Sequence, residues 1–331
     1  MRPVLCEDGA ERATRDAYGD ALVELGAQRE EIVVLDADVA NSTYTERFGR
    51  RFPERFFNLG LCEAHMVGVA AGLARCGKIP FVSTFAIFAA QRALNQIFQS
   101  VAYARANVKI AVSHAGITVG EDGATHQAID DIAILRAMPH MSVVVPCDAE
   151  QTKAAVFAAA DHDGPVYIRL GRPAVPAVYA DCPFRLGRAL VLRQGSDVTL
   201  IGCGITVSLC LDAARILQEQ GISAEVIDAA SVKPLDRETI LASAARTRAV
   251  VTAEEHTVIG GLGSAVAELL GEELPTPMRR VGIADCMGQS GSWKQLLEAY
   301  GLTARHIAAA AQDLLERSER RRGGDGLWTR S

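Results

Sequence analysis

A chain of 331 residues is long enough for about two domains, and 49% hydrophobic against 22% charged residues supplies material for substantial apolar cores. The 34 basic and 40 acidic residues leave a formal charge of −6, which excludes the basic footprint of a nucleic-acid-binding protein. The longest uncharged apolar stretches, such as 198–211, are too short to cross a bilayer.

In chain order, helical periodicity runs from about Glu11 to Leu25, and Glu31-Ile-Val-Val-Leu-Asp reads as a buried strand. A helix at 63–75, a strand at 79–84 and a helix at about 89–104 follow. Strand 108–113, a helix near 127–136, strand 142–145, helix 149–161 and strand 166–169 complete the first half. Strands alternating with helices predict a mainly parallel sheet covered on both faces. The segment from Arg172 to Pro183, rich in proline and without periodicity, reads as a linker. From near Gly187 a second α/β pattern runs through strand 197–201, helix 205–220, strands 223–227 and 248–253, helix 262–271, strand 278–282 and helix 303–316. The expected fold is α/β with two three-layer domains, 1–172 and 188–316, joined by a linker at 173–187. Residues 317–331, opening with the basic block Arg317 to Arg322, read as a solvated, flexible tail.

Eight cysteines, from Cys6 to Cys286, are scattered without a Cys-x-x-Cys pair, which argues against a zinc site or disulfide framework and suits a reducing compartment. The first residues, Met1 to Asp8, lack the apolar core of a signal peptide. A soluble, cytoplasmic protein is expected, with neither nucleic acid nor membrane as a partner.

Open α/β sheets usually bind ligands at the carboxyl ends of their strands. Two glycine turns there, Ile201-Gly-Cys-Gly-Ile and Ile259-Gly-Gly-Leu-Gly-Ser, lack a full Gly-x-Gly-x-x-Gly after a first strand. They read as tight strand–helix turns, so a dinucleotide-binding enzyme fits poorly. Glu254, Glu255 and His256 read as an uncovered strand end rather than a metal site, and the turn Val232-Lys-Pro-Leu-Asp as structural. No metal ligand is assigned to this chain.

Between positions 58 and 127 polar residues concentrate in turns between apolar elements: Glu63, Ser83, His114, Glu121, Asp122, His126 and Gln127. Singly, Glu63 would pass as a first-turn carboxylate favoured by the helix dipole, and His114 as a structural histidine. Their joint occurrence with Gly120-Glu-Asp-Gly-Ala-Thr-His-Gln favours a functional reading. Together with Asn58-Leu-Gly-Leu-Cys-Glu-Ala-His-Met, Ser83-Thr-Phe-Ala-Ile-Phe, Ser113-His, Pro146-Cys-Asp and Asp163-Gly-Pro, these strings resemble the C-terminal half of transketolases. The resemblance covers nearly the whole chain, from Arg15 to the last helix.

It implies a pyrimidine-binding domain for thiamine diphosphate followed by a transketolase C-terminal domain. Single-chain transketolases begin with a long domain whose Gly-Asp-Gly and Asn hold magnesium and the diphosphate. Asp122-Gly-Ala-Thr has the wrong context for that motif, so the chain looks like one subunit of a split transketolase. Thiamine diphosphate and Mg2+ are the expected cofactors, with the Mg2+ ligands on an N-terminal-type partner subunit. Self-association into an α2β2 heterotetramer is expected as well. The expected activity is transfer of a two-carbon ketol unit from a ketose phosphate to an aldose acceptor, within carbohydrate metabolism.

Individual roles follow from the same resemblance. A family glutamate hydrogen-bonds the pyrimidine N1′ and favours the imino tautomer whose 4′-nitrogen acts as base; Glu63 holds that motif position. Its apolar neighbours Leu61, Met66 and Val67 would disfavour the ionised form and raise its pKa, leaving a bound ring as the natural partner. Phe85 and Phe88 match aromatic positions that cradle the pyrimidine. Gln91 stands where a further aromatic residue is common, and Cys62 where an arginine often precedes the glutamate. Asp38, in the turn from Asp36 to Ser42, matches a cofactor-side aspartate. Arg15, Ser42, His114 and Arg172 match the phosphate ligands: two arginine forks, a hydroxyl and a histidine able to become cationic. Deeper in the channel, Asp122 matches a residue that binds a substrate hydroxyl. His126 matches one that hydrogen-bonds the donor carbonyl and assists proton transfer. Glu63, His126 and His114 are the expected catalytic residues.

Other readings compete. A serine after a strand often only caps the next helix, and arginines often serve surface ion pairs. The nearest rival is the β subunit of a 2-oxo-acid dehydrogenase, which shares the glutamate motif and domain order. It does not normally carry Gly-Glu-Asp-Gly-x-Thr-His-Gln or the phosphate-binding arginines. A deoxyxylulose-phosphate-synthase-like enzyme and a non-catalytic partner protein complete the set.

Overall fold

The structure is a computed structural model describing residues 4–6 and 10–323. Apolar, β-branched runs form the strands Ile32–Asp36, Ile79–Phe85, Lys109–Ser113, Ser142–Val144 and Val166–Arg169, nearly all of whose residues are buried. With Phe56–Asn58 they pair in parallel, in the order Ser142–Val144, Val166–Arg169, Lys109–Ser113, Ile79–Phe85, Ile32–Asp36, Phe56–Asn58. Alternate side chains enter opposite cores, as the pleat requires. Ile32 and Val34 pack with Tyr18, Leu22, Leu25 and Val156 under the helices Thr14–Gln28 and Ala149–Asp161. Val33 and Leu35 pack with Met66, Ala90 and Leu135 under Glu63–Arg75, Ala86–Arg92 and Asp131–Ala137.

That second core does not stop at the first domain. It continues through Ile201, Ile227, Leu262 and Val266, so the two domains share buried apolar surface worth about 1.5–3 kcal/mol per fully buried side chain. The strand Ser231–Lys233 from the second domain also joins the first sheet, antiparallel to Ser142–Val144. The turn expected at Val232 to Asp236 is therefore in part a strand stitching the domains.

The second sheet has the order Leu190–Arg193, Ala224–Asp228, Val198–Gly202, Val250–Thr257, Met278–Ile283, parallel except for its first strand. The segment expected as a linker is fastened down: Ala174–Val175 pairs with Arg12–Ala13, and Tyr179–Asp181 with Val4–Leu5. Asp148 accepts the backbone N–H groups of Val178 and Tyr179 at 2.7 and 2.8 Å. The Tyr179 hydroxyl reaches the buried Asp228 carboxylate at 2.6 Å.

Three further expectations need correction. The helix expected near 89–104 is broken into Ala86–Arg92, Leu94–Gln96 and a π-helical turn, Ile97–Ala102. The last helix runs Ala304–Gly323, so the first part of the expected tail is helical, with Arg317 on Asp313 and Arg320 on Glu316 one turn apart; residues 324–331 lie outside the described residues. Glu254, Glu255 and His256 are not an uncovered strand end. They lie within Val250–Thr257 and are buried, because the turn after the strand brings the helix Leu262–Glu273 back over it. Glu254 accepts the Leu262 and Gly263 N–H groups at 2.7 and 2.8 Å, where the helix dipole favours a carboxylate. Among the described residues no helix is long and apolar enough to cross a membrane.

Candidate active site

The carboxyl ends of the parallel strands deliver the polar residues to one edge of the first domain. Asp38 and His114 follow Ile32–Asp36 and Lys109–Ser113 and both adopt left-handed backbone, φ 64° and 57°. Non-glycine residues held there cost conformational energy and cluster at functional sites. Asp36, not Ser42, caps the turn after its strand, accepting Val39 N–H at 2.7 Å and the hydroxyls of Thr43 and Thr45. Asp38 is exposed and accepts Asn58 Nδ2 at 2.9 Å.

Glu63 opens its helix and is only 3% exposed. Its surroundings differ from the expectation. Met66 and Val67 are buried, but Leu61 is 66% exposed. The carboxylate also has a partner within the chain: Arg92 Nη1 lies 3.2 Å from Glu63 Oε1. The Arg92 guanidinium sits 4.2 Å over the Phe88 ring. Phe88 stacks on Phe85 at 5.6 Å between centroids, and Phe85 on His114 at 3.9 Å. His126 meets Phe88 edge-on at 5.5 Å. The two phenylalanines thus form one continuous wall rather than two jaws of a slot, since rings 5.6 Å apart leave no room for a third between them. Arg92 was missed from the sequence, although positions 88 and 92 lie one helical turn apart. Gln91 turns away from this wall and lines a neighbouring cavity of about 500 Å3 with Ile87, Gln127, Asp130, Ile259 and Met287.

At the other end stand Arg15, Ser42 and Arg172. Arg15 donates to main-chain carbonyls, Nε to Arg172 O at 3.1 Å and Nη1 to Ser42 O at 2.7 Å, and makes no ion pair among the described residues. Burial, and to a lesser degree Arg172, pull its pKa below the usual value. Tyr44 lies between Arg15 and Arg47, with their guanidinium carbons 5.2 and 4.5 Å from its ring centroid. Arg172 donates to Val119 O and to the exposed Glu121 carboxylate at 3.2 Å. His114 was expected to become cationic. Burial, with help from Arg15, Arg172 and His126, instead lowers its pKa to about 3, so it is a neutral imidazole, hydrogen-bonded through Nδ1 to Ser113 Oγ at 2.8 Å.

The Gly-Glu-Asp-Gly-Ala-Thr-His-Gln string forms two 3-10 turns, Ile117–Asp122 and Ala124–His126, hinged at Gly116, Gly120 and Gly123 with φ 76°, 85° and 75°. Only glycine adopts that backbone without strain, and Ser290 Oγ would have to move for a Cβ on Gly123, which would lie 2.4 Å from it. Gln127, buried at the end of the loop, donates to Ile117 O and Gln289 O at 3.1 and 3.0 Å. The loop leaves Asp122 exposed and His126 half-buried, with Thr125 Oγ1 3.0 Å from His126 Nδ1.

A flat aromatic wall, a buried carboxylate whose in-chain partner is a half-exposed arginine, and two histidines at the wall's edge fit an aminopyrimidine ring. The transketolase pyrimidine-binding domain matches residues 10–178, and the transketolase C-terminal domain matches residues 187–307. The chain belongs to the transketolase family, whose membership implies dependence on thiamine diphosphate. It is 49% identical over 304 residues to 6-deoxy-6-sulfo-D-fructose transketolase subunit SqwH of a Clostridium species, covering 92% of this chain and 94% of that one. It is 40% identical to one of the subunits of the apulose-4-phosphate transketolase of Phocaeicola vulgatus, covering 92% and 98% of the two chains. A solved structure described as a split gene transketolase, inactive β4 tetramer, shares 54% identity and superposes with a TM-score of 0.85 over 93% of this chain and 99% of that one. These relatives are split transketolase subunits matched nearly end to end, which favours the transketolase reading over the dehydrogenase one.

Proposed function

We propose that this chain is the pyrimidine-binding subunit of a split transketolase that moves a two-carbon ketol unit from a ketose phosphate to an aldose. The observation that carries the reading is the buried Glu63 carboxyl beside the Phe85–Phe88 wall. Bound thiamine diphosphate supplies the electron sink for breaking and forming the carbon–carbon bond. Glu63 exchanges Arg92 for the pyrimidine nitrogen, and the wall fixes the ring plane. His126 holds or moves a proton at the donor carbonyl, and Asp122 accepts a substrate hydroxyl. His114, neutral, contributes a hydrogen bond rather than a charge. Arg15 and Arg172, with Ser42, grip an anionic terminus in the manner of arginine–phosphate pairs. Asp38 completes the cofactor side; Gln91 borders it through the adjoining cavity.

The diphosphate and Mg2+ then fall to an N-terminal-type partner subunit, in an α2β2 assembly. The relative described as an inactive β4 tetramer supports both self-association and the need for that partner. Free cysteines throughout suit the cytoplasm. The test is reconstitution with a diphosphate-binding partner chain, thiamine diphosphate and Mg2+, followed by assay of ketose phosphate cleavage. Activity is expected in the mixture and absent from either chain alone. Equal activity from this chain by itself overturns the reading.

A further inference from the structure

We propose that Glu255, in the second domain, is a positioning residue for the anion-gripping arginines Arg15 and Arg172. The proposal rests on the assignment of those arginines to the substrate's anionic end.

A continuous run of hydrogen bonds connects them. Glu255 Oε1 accepts Thr118 N–H at 2.6 Å. The next residue, Val119, offers its carbonyl to Arg172 Nη1. The Arg172 carbonyl accepts Arg15 Nε at 3.1 Å, and Arg15 Nη1 ends on Ser42 O at 2.7 Å. Among the described residues neither arginine is held at a buried carboxylate. Their placement therefore depends on where the main chain puts these carbonyls, and Glu255 fixes the first link.

Glu255 is itself over-determined. Its backbone carbonyl accepts Arg169 Nη2 at 2.9 Å, while Arg169 Nε grips Asp131 at 2.9 and 3.1 Å, both side chains being buried. Gly116 lies directly against the carboxylate, so close that a Cβ there would come within 2.3 Å. Beneath this contact is a cavity of about 20 Å3 lined by Thr14, Thr118, Arg169, Gly171 and Glu255. Gly171 N–H donates to Thr14 Oγ1 at 2.9 Å across the same cavity wall, and these two residues immediately precede Arg172 and Arg15. Neighbouring Glu254 and His256 do other work: Glu254 caps the helix Leu262–Glu273, and His256 Nε2 accepts Ala133 N–H at 3.3 Å. A preorganised arginine fork loses less entropy on gripping an anion, so loosening the first link should weaken binding rather than chemistry.

Two conservative variants separate reach from charge. Glu255→Asp keeps the charge but withdraws the carboxylate from Thr118; Glu255→Gln keeps the acceptor in place but removes the charge. With the enzyme reconstituted from both subunits, Glu255→Asp should raise KM for fructose 6-phosphate about tenfold, the size of one lost charge-assisted hydrogen bond, with KM for fructose and both kcat values nearly unchanged. Glu255→Gln should restore KM to within about twofold. In the full chain alone, Thr118 amide hydrogen exchange should quicken about tenfold or more in Glu255→Asp and not in Glu255→Gln. Unchanged KM and unchanged Thr118 exchange in Glu255→Asp, or the two variants behaving alike, overturns the proposal. If the parent enzyme does not discriminate fructose 6-phosphate from fructose, the phosphate assignment of the arginines falls. The Thr118 exchange contrast then decides the positioning role by itself.

Discussion

At the Glu63 end of the site the chain supplies both signs of charge, whereas at the Arg15 end it supplies mainly one. Glu63 is buried but paired with Arg92, whose guanidinium also rests on Phe88. Among the described residues Arg15 donates its hydrogen bonds to carbonyl oxygens, and Arg172 has the exposed Glu121 as its acidic partner. Stacked between these ends, on Phe85, sits a neutral histidine. The contrast locates what each end requires from a ligand. A buried carboxylate with a displaceable cation is suited to trade that cation for a neutral ring nitrogen. A pair of arginines held by dipoles retains an unspent positive charge for an anion.

Replacing Glu63 with Gln sharpens the contrast most severely. The amide preserves the shape but cannot share a proton with a ring nitrogen. Turnover of the reconstituted enzyme should fall by about 100-fold or more, while thermal unfolding of the chain stays close to that of the parent. A variant retaining full turnover would mean that the carboxyl at this end has no chemical part. At the opposite end Arg15→Ala removes half the cationic fork. It should raise KM for a ketose phosphate by about 10- to 100-fold, corresponding to about 1.5–3 kcal/mol for hydrogen bonds to a charged group, with a much smaller change in kcat. A comparable loss with a non-phosphorylated ketose would show that Arg15 shapes the channel without reading charge.

Much of this was legible in the sequence, for identifiable reasons. Ile32–Asp36 and Val166–Arg169 are short, unbroken apolar runs, a pattern that local composition alone dictates for a strand covered on both faces. The loop from Gly120 to Gln127 was visible because its glycines, acids and histidine cannot all be explained by turn chemistry. Arg92 was not visible as a partner of Glu63, because their contact depends on how Glu63–Arg75 packs against Ala86–Arg92, a tertiary fact with no local signature. The triplet Glu254 to His256 misled for a similar reason: three polar residues in a row look like an exposed strand end until Leu262–Glu273 is seen to fold back over them. The strand Ser231–Lys233 was likewise settled by packing across the domain boundary rather than by periodicity.

His114, at the junction of the two ends, gives the subtlest test. Its folded-state pKa of about 3 lies below the ordinary histidine value of 6.5. Below pH 6.5 the unfolded chain therefore takes up a proton that the folded chain refuses. The histidine's contribution to stability is complete above that pH and is lost as the pH falls, at up to about 1.4 kcal/mol per pH unit. Buried Asp228 works in the opposite sense: its pKa is raised to about 6, so protonation favours the folded chain as the pH drops. The pH dependence of the parent alone mixes such terms. Comparison with His114→Gln isolates the one of interest. Urea unfolding of both proteins at pH 7 and pH 5 should show the variant gaining about 2 kcal/mol on the parent over that interval. A constant difference would mean that folded His114 titrates like a free imidazole. The arginine end would then acquire a third cation in mild acid, and the division of charge between the two ends of the site would shift with pH instead of being fixed by the fold.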